Sequence, residues 1–326
     1  MRRRRSRTVA ALLGALLSVH AASTAEAQAA EDGALFLLLP VGARAVGMGQ
    51  AVAADQGGSE AVWWNPAGIA RTEKPEAAIH HSQSVIGTGD AVTVVVPSSL
   101  LGVLALSVNI LNFGEQDVTD VDVGTVGTIL PRSFVYAATY GTPIGDHISA
   151  GLSYKVVQFR VDCSGACPQG SNFAATSSAL DFGAQFNLGD LVPATIGVAL
   201  RNVGPRLQVN DNPQSDPLPT RLQIGALYRV GLLERYAKGT ELHLTGDVLD
   251  QVRLSAPSTR FGADVVWQKK IHARVGYVFD SSESGGPSVG LGLTAGSLVI
   301  DIARLFEGLS SAAGQAPTYL SLRYVF

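Results

Sequence analysis

From residue 76 to the C-terminus, apolar and polar positions alternate in segment after segment. Leu180, Phe182, Ala184 and Phe186 are apolar, while Asp181, Gly183, Gln185 and Asn187 take the other face. Ile196, Val198 and Leu200 oppose Thr195, Gly197 and Arg201; Phe261, Ala263, Val265 and Trp267 oppose Gly262, Asp264 and Gln268; Ala273, Val275, Tyr277 and Phe279 oppose His272, Arg274 and Asp280. A period of two belongs to strands, whose successive side chains point to opposite faces. With the turn signals between them, these patterns predict about fourteen strands, near 76–86, 90–97, 101–111, 131–141, 146–160, 174–188, 193–202, 219–230, 240–250, 259–268, 270–280, 287–296, 297–304 and 317–326. The apolar run at 91–111 is broken at Pro97-Ser98-Ser99 and is β-branched in its first half, so it reads as two strands and a tight turn.

A soluble sandwich would show the same period, with its apolar face inward. Two patterns favour a transmembrane barrel whose apolar face meets lipid. Tyr154, Phe186, Tyr228, Trp267 and Phe279 fall near strand ends on the apolar face, where an interfacial girdle belongs. Predicted loops also alternate long and short: 111–131, 160–174, 202–219 and 304–317 fall on one side, and 97–101, 141–146 and 189–193 on the other. The turn at 86–90 and the connection at 231–239 break the alternation. The last strand places Leu320, Leu322, Tyr324 and the terminal Phe326 on one face, which looks like the signal read by the barrel assembly machinery.

The N-terminus bears Arg2–Arg5 and Arg7, an apolar stretch from Val9 to Val19, and small residues flanking Glu26 or Gln28. This is the layout of a cleaved signal peptide over residues 1–29. Its removal takes away five arginines and Glu26, so the net charge of −3 becomes −7. An acidic mature chain without a basic cluster argues against a nucleic-acid partner. Only 16% of residues are charged, yet no unbroken span of about 20 apolar residues follows the signal. An exported, weakly charged chain without such a span points to an outer-membrane barrel, in contact with outer-membrane lipid. Cys163 and Cys167, in CSGAC, are expected to form a small loop disulfide in an oxidising compartment; two free thiols are the alternative.

Between signal and barrel, residues 30–75 form a glycine-rich segment that ends in Trp63-Trp64-Asn65-Pro66-Ala67-Gly68. Glycines let a chain approach a wall closely, and Pro66 fixes a bend. The segment is expected to sit inside the barrel as a hatch; a mobile leader outside it is the alternative. Trp63 and Trp64 either fill lumen space or sit at the membrane interface.

Gly42, Arg44, Gly47, Met48 and Gly49, together with Trp64, Asn65, Pro66, Ala67 and Gly68, resemble the N-terminal signature of the PorV/PorQ family, a branch of the FadL-like outer-membrane proteins. Further matches lie at 201–204, 217–219, 222–225 and 274–277. The resemblance implies a fourteen-stranded barrel with an inward-folded N-terminal hatch. It also implies an accessory role in type IX-like secretion or surface attachment, with a translocon or secreted cargo as partner. The long insertions of a fatty-acid channel are not evident. The alternative function is a passive FadL-like channel for hydrophobic small molecules, for which an apolar pocket near the hatch is expected at residues such as Val46, Met48 and Val52.

No enzyme, cofactor or metal is expected. Gly286-Pro287-Ser288-Val289-Gly290 has the spacing of a nucleophile elbow but opens a strand rather than joining strand to helix. His80 and His81 point to opposite faces of one strand, so they cannot share an ion. The remaining chemistry is a set of inward charges: Lys155, Asp181, Arg201, Arg221, Arg229, Asp247, Asp264, Arg274, Asp301 and Arg323. They form either a salt-bridged lining or a polar path and docking surface for the hatch.

Overall fold

The computed structural model describes residues 32–326, apart from 121, 123, 168–171, 190–191, 209–214, 232–236, 252–256, 281–284 and 307–315. The signal-peptide expectation at 1–29 lies outside the described residues. Strands in chain order are β1 (Glu76–Gln83), β2 (Thr88–Ser98), β3 (Gly102–Asn112), β4 (Gln116–Asp120), β5 (Gly124–Ile144), β6 (Ile148–Gly165), β7 (Phe173–Asn187), β8 (Ala194–Val203) and a short pair, β9 (Leu207–Gln208) and β10 (Ser215–Asp216). They continue as β11 (Arg221–Val230), β12 (Thr240–Asp250), β13 (Ser258–Trp267), β14 (Ile271–Phe279), β15 (Gly286–Ala295), β16 (Leu298–Leu305) and β17 (Thr318–Val325).

Neighbouring strands pair antiparallel around a ring. β17 pairs with β1 from Glu76↔Val325 to Gln83↔Thr318, and β3 skips β4 to pair with β5 from Val103↔Gly141 to Asn112↔Arg132. Fourteen strands therefore close into a barrel, with β4 an appendage on the extension of β5 and β9–β10 a separate pair. Closure leaves the wall without an unpaired edge, which a bilayer requires of any sheet that crosses it. Among the described residues, no helix is long and apolar enough to span a membrane. The predicted strands all appear within a few residues, except that β5 and β6 run well past their expected ends at 131 and 160.

The outer surface is the apolar one. Ile79, Val94, Leu106, Tyr154, Phe182, Phe261 and Leu291 are exposed and point away from the lumen, as do Leu320, Leu322, Tyr324 and Phe326 of the last strand. Polar residues on the alternate positions, from Thr93 and Ser107 to Asp247 and Asp301, are buried. Leu106 is 69% exposed in the middle of β3. We expect Leu106→Arg to destabilise the barrel in lipid vesicles by about 2–4 kcal/mol, as a charge at the bilayer midplane does. Urea titration of vesicle-bound protein would show it, and an unchanged midpoint would place this face in water.

The core lies inside the ring. Residues 43–70 are almost wholly buried and carry a short helix, α1 (Ala43–Gly47), and 3-10 turns at Gly58–Trp63 and Pro66–Ile69. This segment packs apolar side chains onto the inward faces of the strands. Val62 and Ile69 meet Val95, Val103 and Ala105, and Ala43 and Val46 meet Ala303, Leu305 and Tyr319.

Candidate functional site

The inner segment runs through the lumen from one end to the other. At the long-loop end, Asp32 pairs with Arg221 at 3.0 Å and Gly33 N–H donates to the Pro217 carbonyl. At the short-turn end, Arg71 donates to the carbonyls of Gly145 and Asp146. Between them the backbone touches the wall at inward glycines. A Cβ at Gly151 would collide with the backbone of Pro66, one at Gly197 with the Ala53 carbonyl, and one at Gly276 with Gly49. Gly49 itself has φ +61°, a left-handed conformation that suits glycine.

A segment buried in this way must satisfy its own backbone groups, and wall side chains do so. Asn65 Nδ2 donates to the Ala53 carbonyl at 2.6 Å while its Oδ1 accepts from Ala67 N–H at 3.1 Å, capping the Pro66 turn. Asp247 Oδ2 accepts from Ala53 N–H at 2.8 Å and from Gln223 Nε2 at 2.7 Å, and Gln223 Nε2 also donates to the Gln50 carbonyl. Arg201 donates to the Trp63 carbonyl at 3.1 Å and lies 5.2 Å over the Trp64 ring. Arg323 donates to the Gly57 carbonyl. Within the segment, Arg44 pairs with Asp55 at 2.7 Å. Trp63 and Trp64 are 7% and 4% exposed, so they fill the lumen rather than mark an interface.

The predicted charges all lie on inward positions, and they divide by role. Arg201, Asp247 and Arg323 hold the inner segment. Lys155 pairs with Asp181 at 2.5 Å, and Arg274 binds Asp301 at 2.5 Å and Asp264 at 3.3 Å, bracing wall to wall. Arg221 ties down the segment's start, and Arg229 is half-buried near the short-turn end. The structure joins Cys163 to Cys167 at the long-loop end of β6. Gln223, Gln185 and Glu60 were not expected from sequence. Gln185 Nε2 donates to the carbonyls of Ala53 and Asp55 at 3.1 and 2.8 Å. Glu60 Oε1 accepts from Ala45 N–H at 2.6 Å, so it satisfies a donor in the first turn of α1 that has no partner within the helix.

The expected apolar pocket at Val46, Met48 and Val52 is not there. These side chains are at most 5% exposed, and the void that Val52 borders is about 10 Å³, too small for more than one water. The glycine contacts bring the segment so near the wall that its apolar side chains are used up in packing. An open pocket of about 490 Å³ lies instead at the long-loop end. Its walls are the segment 33–36, Phe113 beyond β3, Pro131 on β5, Phe159 on β6, Phe173 on β7 and Leu207 on β9. Phe159 is central, with ring centroids of Phe36, Phe113 and Phe173 at 6.3, 6.2 and 5.9 Å. Polar residues reach it only as Asp32, Gln116 and Asp216. Below it, sharing Phe36, is a cavity of about 30 Å³ that reaches Trp63, Trp64, Lys155 and Arg201. The sequence carried one signal for this pocket, the inward positions of Phe159 and Phe173 near the ends of their strands.

No family model matches the chain, and no curated protein matches it. Its fold is shared with solved structures. A monoaromatic hydrocarbon channel, CymD, superposes with a TM-score of 0.58 at 13% identity, covering 89% of this chain and 98% of that one. The toluene transporter TbuX of Ralstonia pickettii gives 0.57 at 13% identity over 89% and 100%, and a Pseudomonas aeruginosa FadL homologue 0.55 at 12% over 88% and 98%. At these identities the likeness establishes architecture.

Proposed function

We propose that the protein is an outer-membrane channel for hydrophobic small molecules, of the FadL-like kind. One observation carries this reading: an aromatic-lined pocket of about 490 Å³ opens at the long-loop end and leads to the inner segment. The solved structures named as hydrocarbon channels and transporters share the fold and support the same reading. Long loops face outward and short turns the periplasm in such barrels, so the pocket would receive solutes from outside the cell. Residues 30–75 act as the hatch, the preceding segment as a cleaved signal peptide, and the terminal strand as the element recognised during assembly. No catalytic step is assigned to the chain.

The rival reading, a PorV-like accessory to secretion, rests on the glycine and Trp-Asn-Pro-Ala-Gly motifs. Packing gives those residues a local role. Gly42, Gly47 and Gly49 permit close contact, and Asn65 with Pro66 caps a turn against the wall. Any tightly filled barrel needs the same, so the motifs do not favour secretion over transport. Co-purification of a translocon or secreted protein from native membranes would favour the rival.

The test is accumulation of toluene by cells that carry the protein, compared with cells that lack it. Phe159→Ala removes the ring that the other three pack against, and an uptake loss of about tenfold to a hundredfold is expected from losing ~1.5–3 kcal/mol of apolar contact. Equal uptake with and without the protein would reject the channel reading.

A further inference from the structure

We propose that the channel's preferred solute is an aromatic carboxylic acid, bound with its ring among the phenylalanines and its carboxylate on Arg201. The proposal rests on the channel reading and narrows it. Its basis is a difference between Arg201 and five other cations of the lumen. Arg44, Lys155, Arg221, Arg274 and Arg323 each have a carboxylate within 4 Å. Arg201 has none among the described residues. Two of its donors go to neutral oxygens, the Trp63 carbonyl and Gln223 Oε1. Its Nε has no partner, although the side chain is only 8% exposed. A buried guanidinium with an unused donor calls for an anion, and a carboxylate matches its geometry. Arg260 also has unpartnered nitrogens, but it borders neither of the two cavities.

Arg201 lines the 30 Å³ cavity directly below the aromatic pocket. That volume suits one small polar group. Lys155 lines it too, with its charge met by Asp181 and Asn202. At the upper pocket Asp216 would repel an acid head and turn it inward, whereas Asp32 beside it is paired with Arg221. Ring above and carboxylate below therefore follow from the order of the two cavities. Phe36, common to both, is the side chain that must shift for one ligand to fill them.

The test uses the full-length protein in phosphatidylcholine nanodiscs at pH 8, with 4-ethylbenzoate and its neutral near-isostere 4-ethyltoluene as probes. We expect the wild type to bind the acid at least tenfold more tightly than the hydrocarbon. Arg201→Gln should remove that preference and leave 4-ethyltoluene binding within threefold. Arg201→Lys should retain most of the preference. An equal or reversed preference in the wild type overturns the proposal, as does an unchanged preference in Arg201→Gln. If Arg201→Gln loses both probes together, Arg201→Lys decides: a preserved acid preference supports the proposal and parallel loss of both overturns it. Binding of neither probe by the wild type is the separate result that counts against the channel reading itself.

Discussion

Deletion of residues 40–70 is expected to leave a folded barrel that conducts ions across a planar bilayer, where the intact protein does not. The ring closes through pairings among the fourteen strands, and none of these is to the inner segment. A ring of this size exceeds the eight strands whose own side chains fill the interior and approaches the sixteen that leave a water-filled channel. In the intact chain, the voids bordered by the inner segment in mid-lumen are about 10–30 Å³, a water or so each. Taking the segment away removes Val46, Val62, Ile69 and both tryptophans and leaves Gln223, Asp247 and Arg201 facing water. The lining is then ionic and wide, and conductance should rise by on the order of tenfold or more over the intact leak. Heat-modifiable migration on gels checks that the deleted form is still a barrel. A folded deletion variant as silent as the intact protein would show that something other than this segment closes the lumen.

Much of the wall was legible because lipid outside and charge inside impose a strict period of two. From β7 onward the alternation located strands almost to the residue. The β2–β3 hairpin was harder. Val94, Val96, Leu104 and Leu106 face lipid, but Val95, Val103 and Ala105 face Val62 and Ile69 of the inner segment. Strands apolar on both faces read as a continuous run, and only Pro97 and its neighbours betrayed the turn. The extensions of β5 and β6 were missed for the opposite reason. Gly124 to Thr128, paired with β4 and, at Gly127 and Thr128, with Gly165 and Ser164, are mostly glycine and threonine, so no alternation marks them. The inner charges were found because charge on the alternate face is conspicuous. Gln223 and Gln185 were not, since a neutral amide carries no such mark, and Glu60 lies outside any strand. Beyond Phe159 and Phe173 the pocket could not be read: its walls come from residues 33–36, Phe113, β5, β6, β7 and β9, joined only by the closed ring.

The fit between inner segment and wall depends on wall glycines, and Gly197→Val should break it. The Ala53 carbonyl lies where a β-carbon would stand. That carbonyl cannot retreat cheaply, because Asn65 Nδ2 and Gln185 Nε2 both donate to it, at 2.6 and 3.1 Å, while Ala53 N–H is held by Asp247. Overpacking of a core costs about 1–3 kcal/mol where side chains can yield. Here backbone must move and two or three buried hydrogen bonds are strained with it, so about 3 kcal/mol or more is expected. The readout is a lower thermal midpoint together with protease cleavage inside residues 40–70. Gly246→Ala is the control. It lies on the lipid side, where a β-carbon makes ordinary contacts with the Phe261 ring at 3.4 Å and the Arg260 carbonyl at 4.0 Å, and its change should stay within about 0.5 kcal/mol. The two manipulations of the lumen are also linked. In a barrel already lacking residues 40–70, there is no Ala53 to collide with, so Gly197→Val should have almost no effect. A penalty that persists in the deleted barrel would place the clash in the wall itself, and glycines could no longer be said to shape the lumen to the segment.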